Sequence, residues 1–156
     1  MSRPMSRLSA VSLVALSTLL ALPLAGQSAS REAIIPAGQS ASPTLTPAIR
    51  AGNMVFASGQ LGMARPAPDT TIQGQTRLAL ENTKKVLEAA GTNMAHATKC
   101  TVFLTDVKDF GGMNQVYREF FPAAPPARST VVVAALVVAG AKVEIECQAV
   151  MPGKEK

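Results

Sequence analysis

The sequence predicts an α+β fold in which one mixed sheet carries two helices on the same face. Residues 142–150 alternate apolar and polar side chains, which is typical of a strand with one buried face. Residues 76–90 place apolar or small side chains at alternating steps of four and three, which is typical of a helix. Such segments follow the order β-β-α-β-α-β-β, and one sheet with helices on one face suits a folded part of about 125 residues.

Both ends of the chain are predicted to lie outside this single domain. Residues 1–30 begin with two arginines, continue with an apolar stretch over 8–24 and end in small residues, as secretory signal peptides do. We expect cleavage near Ser28 or Ser30, a periplasmic or secreted protein, and no stable membrane association afterwards. The alternative is a retained anchor, although about 17 apolar residues are slightly too few to span a bilayer.

The folded domain is predicted over residues 45–152, after a flexible lead-in over 31–44 and before a tail over 153–156. It opens with two short strands joined by Gly52-Asn53, because both residue types tolerate positive φ in a tight turn. Gly59 interrupts the second strand. An isolated glycine there indicates a bulge or the close approach of another group to the backbone.

The first helix is predicted to begin at Thr70 or Thr71 and to end near Ala90, because Gly91 follows it. A strand over 99–105 comes next. Cys100, Val102 and Leu104 point to one face of this strand, and Thr101 and Phe103 point to the other.

A second helix is predicted over 110–121, with Asp109 as its N-cap. Its core stripe consists of four residues, Met113, Val116, Tyr117 and Phe120. A nearly unbroken β-branched run over 129–136 then predicts a strand that is buried on both faces. A turn containing Gly140 leads into the final strand over 142–150.

Composition argues against several classes of function. The formal net charge of +5 falls to +3 without residues 1–30, and one tyrosine, no tryptophan and no basic run provide no nucleic-acid surface. The single histidine, His96, and two distant cysteines do not have metal-ligand spacing, and His96 is expected at the solvated surface. No glycine-rich phosphate loop or serine nucleophile elbow is found. We therefore predict no metal and no cofactor.

Cys100 and Cys147 would remain in the mature protein, in an oxidising compartment. They could form a disulfide. Both lie in apolar strand-like runs, however, and two buried free thiols are the preferred interpretation.

Arg128 is the main candidate for a functional residue. It follows Pro125-Pro126 at the entrance to a strand, so a stiff backbone would hold a guanidinium whose fork fits a carboxylate. A structural arginine that pairs with Glu144 or Glu146 is the alternative. Those two acids share one strand face, and burial of that face in an assembly would suit one of them to acid/base chemistry. On an open face they would simply be solvated.

Three further residues are weaker candidates. Asn114 lies inside the second helix, where asparagine is unfavourable, so it either binds a loop or ligand or lies at the surface. Ser58 and Gly59 either bring a hydroxyl and backbone groups to a pocket or form a plain bulge.

Across residues 45–151 the chain resembles the RidA (YjgF) family. The resemblance rests on the order and spacing of several stretches: 52–60 (GNMVFASGQ), Gln75, 80–82 (LEN), 86–91 (VLEAAG), Lys99, 101–104 (TVFL), 109–110 (DF), 113–114 (MN), 116–117 (VY), 120–122 (FFP), 126–129 (PARS) and 143–146 (VEIE).

This resemblance implies a chorismate-mutase-like homotrimer with sheets inside, helices outside and three sites between subunits. It implies hydrolysis of reactive 2-enamine and 2-imine acids, such as 2-aminoacrylate, to 2-keto acids and ammonia without a cofactor. Arg128 would bind the substrate carboxylate and Glu144 would position or activate the water. The other pocket residues would be Ser58, Gly59, Asn114 and Thr130.

The sequence departs from the family pattern at three places. Leu45 stands where many members have a tyrosine, Thr130 where some have a cysteine, and the turn over 137–141 differs. These changes bear on substrate preference and efficiency. The alternative function is a non-catalytic trimer of the same fold that binds small carboxylates or a protein partner.

Overall fold

The computed structural model describes residues 30–40, 42–64 and 66–153. The predicted signal peptide lies almost wholly outside the described residues, as does most of the predicted tail. Among the described helices, none is long and apolar enough to cross a bilayer.

The described residues form one mixed sheet. Its strands are β1 (Arg31–Ile34), β2 (Ala48–Ala51), β3 (Met54–Ala57), β4 (Gln60–Leu61), β5 (Ala97–Leu104), β6 (Ala127–Val132) and β7 (Val143–Val150). The spatial order is β1-β2-β3-β7-β5-β6, and β4 also pairs with β7. β5 and β6 run parallel, whereas the other described pairs are antiparallel. β7 therefore lies at the centre of the sheet.

Two helices accompany the sheet, α1 (Ile72–Ala89) and α2 (Phe110–Phe120), with 3-10 turns at Met94–His96 and Val107–Asp109. The side chain of Thr71 caps α1 by accepting a hydrogen bond from the Gly74 N–H at 3.1 Å. Gly91 follows the helix with φ at 83°. Both predicted ends of the first helix are confirmed.

The core lies between the helices and one face of the sheet. Along β7 the buried side chains are Val143, Ile145, Cys147 and Ala149, and the intervening ones are only half-buried. The helices bury Leu80, Leu87 and Met113 in the same cluster. The α+β fold with one mixed sheet and two helices is thus confirmed.

The buried amide of Gln75 ties α1 to the start of β7. Its Nε2 donates to the carbonyl oxygens of Asp69 at 2.9 Å and Gly140 at 3.0 Å, and its Oε1 accepts from the Lys142 N–H at 2.7 Å. The side chain is only 1% exposed, so these bonds compensate for its lost hydration. They fix the turn that leads to Glu144.

Four sequence predictions are corrected by the fold. The first concerns the flexible lead-in over 31–44, which begins with strand β1. This strand pairs with β2 in antiparallel register, and Ile34 joins the core cluster. The strand is short and the prolines that follow it are typical of a loop, so only its pairing with β2 identifies it as a strand.

The second correction concerns Asp109, whose side chain does not cap α2. The 3-10 turn Val107–Asp109 runs directly into the helix, and Asp109 has helical dihedral angles. Its carboxylate accepts from Lys142 Nζ at 3.2 Å instead. Asp106 provides the cap one turn earlier by accepting from the Lys108 N–H at 2.9 Å.

The third correction concerns the run over 129–136, which was predicted to be a strand buried on both faces. β6 ends at Val132 and lies at the edge of the sheet, where it pairs with β5 among the described strands. Val131 and Val132 are 44% and 52% exposed. The apolar composition predicted burial on both faces, but β6 lies at the edge of the sheet and is partly exposed.

The preferred interpretation of two free thiols is also wrong, because Cys100 and Cys147 form a disulfide. They are directly opposite each other on β5 and β7. The proximity of the two cysteines was not predictable, because they are 47 residues apart in sequence and meet only through the antiparallel register of β5 and β7.

Candidate active site

Arg128 lines an open pocket of about 470 Å³ on the helix-covered face of the sheet. It is the second residue of β6, half-buried, and follows the proline-rich loop as predicted. The pocket is lined by Asn114, Tyr117, Arg118, Phe121, Pro125, Pro126 and Arg128. The structure therefore brings together two of the predicted site residues, Arg128 and Asn114.

The guanidinium of Arg128 lies against side chains of α2. Its central carbon lies 4.6 Å from the ring centroid of Tyr117 and 5.8 Å from that of Phe110. Nη1 lies 3.9 Å from the sulfur of Met113. These contacts are aromatic and thioether in character, so they leave the charge of the arginine without a counterion.

The alternative in which Arg128 pairs with Glu144 or Glu146 is wrong for this chain. Within the described ranges Arg128 forms no salt bridge. Its charge is therefore available to an anionic ligand in the pocket, and its planar fork suits a carboxylate.

Glu144 lies on the opposite face of the sheet from Arg128. Register partners in a sheet project to the same face. Arg128 pairs with Cys100, whose side chain is buried beneath the helices, whereas Glu144 pairs with Phe103 and alternates with the buried Val143 and Ile145. One chain therefore does not bring these two predicted catalytic residues together.

Gly59 lies beside Glu144, and a Cβ at Gly59 would overlap the Glu144 carboxylate. Here the chain leaves β3 and re-enters the sheet as β4. Between the pairs Phe56–Gln148 and Gln60–Ile145, this side of the ladder contains one residue more than β7 does, which is a β-bulge. The bulge and the close approach predicted for Gly59 are both confirmed, and the approaching group is a carboxylate.

Ser58 belongs to the same side of the structure, but its hydroxyl is already bonded. Oγ donates to the Thr46 carbonyl oxygen at 2.7 Å, and its N–H donates to that of Pro47 at 2.9 Å. Ser58 and Leu45 line an open, mainly polar hollow next to the lead-in segment. Leu45 is 52% exposed there.

Thr130 follows Arg128 on the helix-covered face, two residues along β6. It lines an apolar cleft with Phe110 and Val132. Its Oγ1 is buried and has no hydrogen-bond partner among the described residues. The predicted site thus divides into one half with Arg128, Asn114 and Thr130, and a second half with Glu144, Gly59 and Ser58.

Tyr117 is a site residue for which the sequence pattern predicted only a place in the core stripe of α2. It is 4% exposed, and burial raises the pKa of its hydroxyl to about 12, with the charge of Arg128 acting in the opposite direction. In the sequence, the one feature that could have indicated this role is the position of Tyr117 seven residues after Phe110, which places both rings on one face of α2.

His96 lies away from both halves. It is half-buried at the end of a 3-10 turn, where its Nδ1 lies 3.1 Å from the side-chain oxygen of Asn93. Among the residues that the structure describes, no group of three or more His, Cys, Asp or Glu side chains converges.

Known proteins resemble this chain in both sequence and fold. A family model described as Endoribonuclease L-PSP matches residues 37–151. Protein DfrA of Myxococcus xanthus is 46% identical over 106 residues, covering 65% of this chain and 79% of that protein. The chloroplastic Reactive Intermediate Deaminase A of Arabidopsis thaliana is 42% identical over 110 residues, covering 67% of this chain and 57% of that protein.

A solved structure extends the likeness to the fold. The crystal structure of Escherichia coli TdcF with bound serine superposes with a TM-score of 0.70 and 38% identity, covering 78% of this chain and 99% of that one. The family match spans most of the folded domain, including both halves of the candidate site. The chain therefore belongs to the RidA (YjgF) family.

Proposed function

We propose that this protein hydrolyses reactive 2-enamine and 2-imine acids of the 2-aminoacrylate kind to 2-keto acids and ammonia. The observation that carries the proposal is the guanidinium of Arg128, which lines an open pocket and forms no salt bridge within the described residues. A bidentate pair with a substrate carboxylate would supply that partner.

Similar proteins support the same activity. Relatives carry the name reactive intermediate deaminase, and TdcF has been crystallised with serine, which contains an α-carboxylate. A substrate that shares this carboxylate would suit the open pocket beside Arg128.

A second copy of the chain is needed to assemble the proposed site. Arg128 and Glu144 lie on opposite sheet faces, and the face with Glu144 also carries Phe56 and Val131, which are 41% and 44% exposed. Covering these apolar side chains would favour association. We propose a homotrimer in which the half with Arg128 from one subunit faces the half with Glu144 from the next.

The proposed chemistry requires only orientation and proton transfer. Arg128 holds the carboxylate, which places the adjacent imine carbon near a water on Glu144. The water oxygen bonds to that carbon while Glu144 relays one proton to the nitrogen. Glu144 then relays the hydroxyl proton to the nitrogen, the carbon–nitrogen bond breaks, and ammonia and the keto acid remain. Such proton transfer contributes about 10²–10⁴-fold.

The direct test follows imine decay when an amino-acid oxidase generates the imine in the presence of the purified protein. We expect Arg128→Ala to lower kcat/KM by about 100-fold, because it removes a bidentate charged contact. The control is Arg50→Ala, since Arg50 is 41% exposed and belongs to β2. Absence of acceleration by the wild type, or full activity of Arg128→Ala, would refute the proposal.

The second candidate function is a non-catalytic trimer that captures small carboxylates. The observation that favours it is that Arg128 and Asn114 line one pocket to which Glu144 of the same chain does not contribute. Calorimetry would then show tight binding of a stable keto acid while no imine is turned over.

We also propose that the protein is exported. The apolar segment over 8–24 motivates this proposal, and the Cys100–Cys147 disulfide supports it, because disulfides persist mainly in oxidising compartments. The test is to recover the protein from periplasm or medium and to measure its molecular mass, which should lack residues 1–30. A cytoplasmic chain that retains residues 1–30 would contradict the proposal.

A further inference from the structure

Three side chains on one face of α2 surround the guanidinium of Arg128. Phe110, Met113 and Tyr117 are spaced at i, i+3 and i+7, so helical geometry aligns them. Each contacts the guanidinium, at 5.8 Å and 4.6 Å from the two ring centroids and at 3.9 Å from the sulfur. We call these three residues the α2 cradle.

The chemistry of the cradle matters because arginine has a long and flexible side chain. Ordering it costs side-chain conformational entropy. An acidic partner would order it but would also compete with an anionic ligand for the same N–H groups. Aromatic faces attract the cation without accepting its N–H groups, and only Nη1 donates, to the Met113 sulfur, so the remaining N–H groups are left to the ligand.

We propose that Tyr117, assisted by Phe110 and Met113, is the positioning residue that holds Arg128 ready for a carboxylate. Tyr117 makes the closer aromatic contact and is itself held in place, since its ring packs against Phe121 with centroids 4.7 Å apart. This inference rests on the proposed function for its biological meaning, but its physical content concerns the order of one guanidinium.

The role belongs to the ring of Tyr117 rather than to its hydroxyl. That hydroxyl is buried and has no hydrogen-bond partner among the described residues. Tyr117→Phe keeps the aromatic face and removes only the unpartnered group, whereas Tyr117→Leu removes the face. These two variants therefore separate an electrostatic contact from simple packing.

The first experiment measures the side-chain order of Arg128 by NMR of its Nε–H group, with the signal assigned by its loss in Arg128→Lys. We expect a clearly higher order parameter in the wild type and in Tyr117→Phe than in Tyr117→Leu, where a value below about 0.6 would mark a mobile group. Phe110→Leu should give an intermediate value, because Phe110 is more distant and 43% exposed. Val116→Ala, which alters a buried residue of the same helix outside the cradle, is the matched control.

The second experiment measures calorimetric binding of 2-oxobutanoate as a stable carboxylate probe. We expect the Kd to rise about tenfold in Tyr117→Leu, which corresponds to about 1.4 kcal/mol and lies within the range of cation–π contacts. Tyr117→Phe should restore the Kd to within about twofold of the wild type, and Val116→Ala should match the wild type.

Two results would overturn the inference. One is an Arg128 side chain that stays ordered in both Tyr117→Leu and Phe110→Leu; if Tyr117→Leu does not fold, Phe110→Leu alone decides. The other is an equal loss in Tyr117→Phe and Tyr117→Leu, which would assign the effect to the hydroxyl. If the wild type bound 2-oxobutanoate but turned over no imine, only the deaminase proposal would be refuted. The inference about Arg128 would stand, because the NMR series depends on neither turnover nor binding.

Discussion

Arg128 and Glu144 lie on opposite faces of one sheet, separated by strand β5. Arg128 is in register with Cys100 on the helix-covered face, and Glu144 is in register with Phe103 on the other. Side-chain motion cannot exchange the faces of a paired strand, because that requires a shift of register. A site that uses both residues must therefore combine two chains.

Mixed oligomers test this arrangement. Arg128→Ala and Glu144→Gln should each be inactive alone. With the proposed trimer, reassembly from an equal mixture should recover about one quarter of the wild-type activity, because each cyclic mixed trimer contains one intact site. The measurement is imine turnover after co-refolding. Activity that stays at the level of the separate variants would contradict a shared site.

Gly59→Ala should inactivate without unfolding. The added Cβ would overlap the end of the Glu144 side chain, which can move aside, so the carboxylate should lose its position while the fold remains. We expect kcat to fall by about 100-fold, as misplacement of a catalytic group by about 1 Å can do. Turnover and thermal unfolding are measured together.

Gly111→Ala is the matched control, since Gly111 has open space around its Cβ position and lies in α2. That variant should be active and slightly more stable. Full activity of Gly59→Ala would show that the position of Glu144 does not matter.

Reduction of the Cys100–Cys147 disulfide should lower the free energy of unfolding by about 4 kcal/mol, because the bond closes a long loop in the unfolded chain. Urea unfolding with and without a phosphine reductant measures the difference. The double variant Cys100→Ala/Cys147→Ala should not respond to the reductant. An unchanged midpoint for the wild type would mean that the bond contributes no stability.

Stability should decline between pH 10 and about 12 because of Tyr117. Burial raises its pKa from 10.0 to about 12, so the unfolded chain releases the phenolic proton at lower pH than the folded protein does. The associated stability is complete below pH 10 and is lost as the pH rises through the folded-state pKa.

Tyr117 is the only tyrosine of the chain, so tyrosinate absorbance reports its titration directly. Urea unfolding across this pH range should show a steeper decline for the wild type than for Tyr117→Phe. Equal slopes, or a titration centred at pH 10, would refute the expectation.

Most secondary structure was predictable from local patterns. The alternation in β7 and the four-three spacing in α1 arise from burial on one face, which the residues themselves record. Strand β1 and the uncapped Asp109 were not predictable in this way. Strand β1 depends on pairing with β2, whereas Asp109 belongs to a 3-10 turn that continues directly into α2 and its carboxylate binds Lys142.

The candidate site shows the same division. Arg128 at a strand entrance and the close approach at Gly59 follow from proline stiffness and from a glycine that interrupts a strand. The contact of Tyr117 with Arg128 was not predictable, because the stripe of α2 that predicts a core face does not distinguish residues beneath the sheet from those beside its edge.

The sequence by itself determined the α+β class, the ends of α1 and the family, because periodicity, capping and spaced motifs are local properties of the chain. It also determined the hairpin turn between β2 and β3, where Gly52 has φ at 58°. Only the tertiary structure decided that Cys100 meets Cys147, that β6 is an exposed edge, and that Arg128 and Glu144 face apart. These outcomes depend on strand order and register, which arise from pairing between segments far apart in the chain.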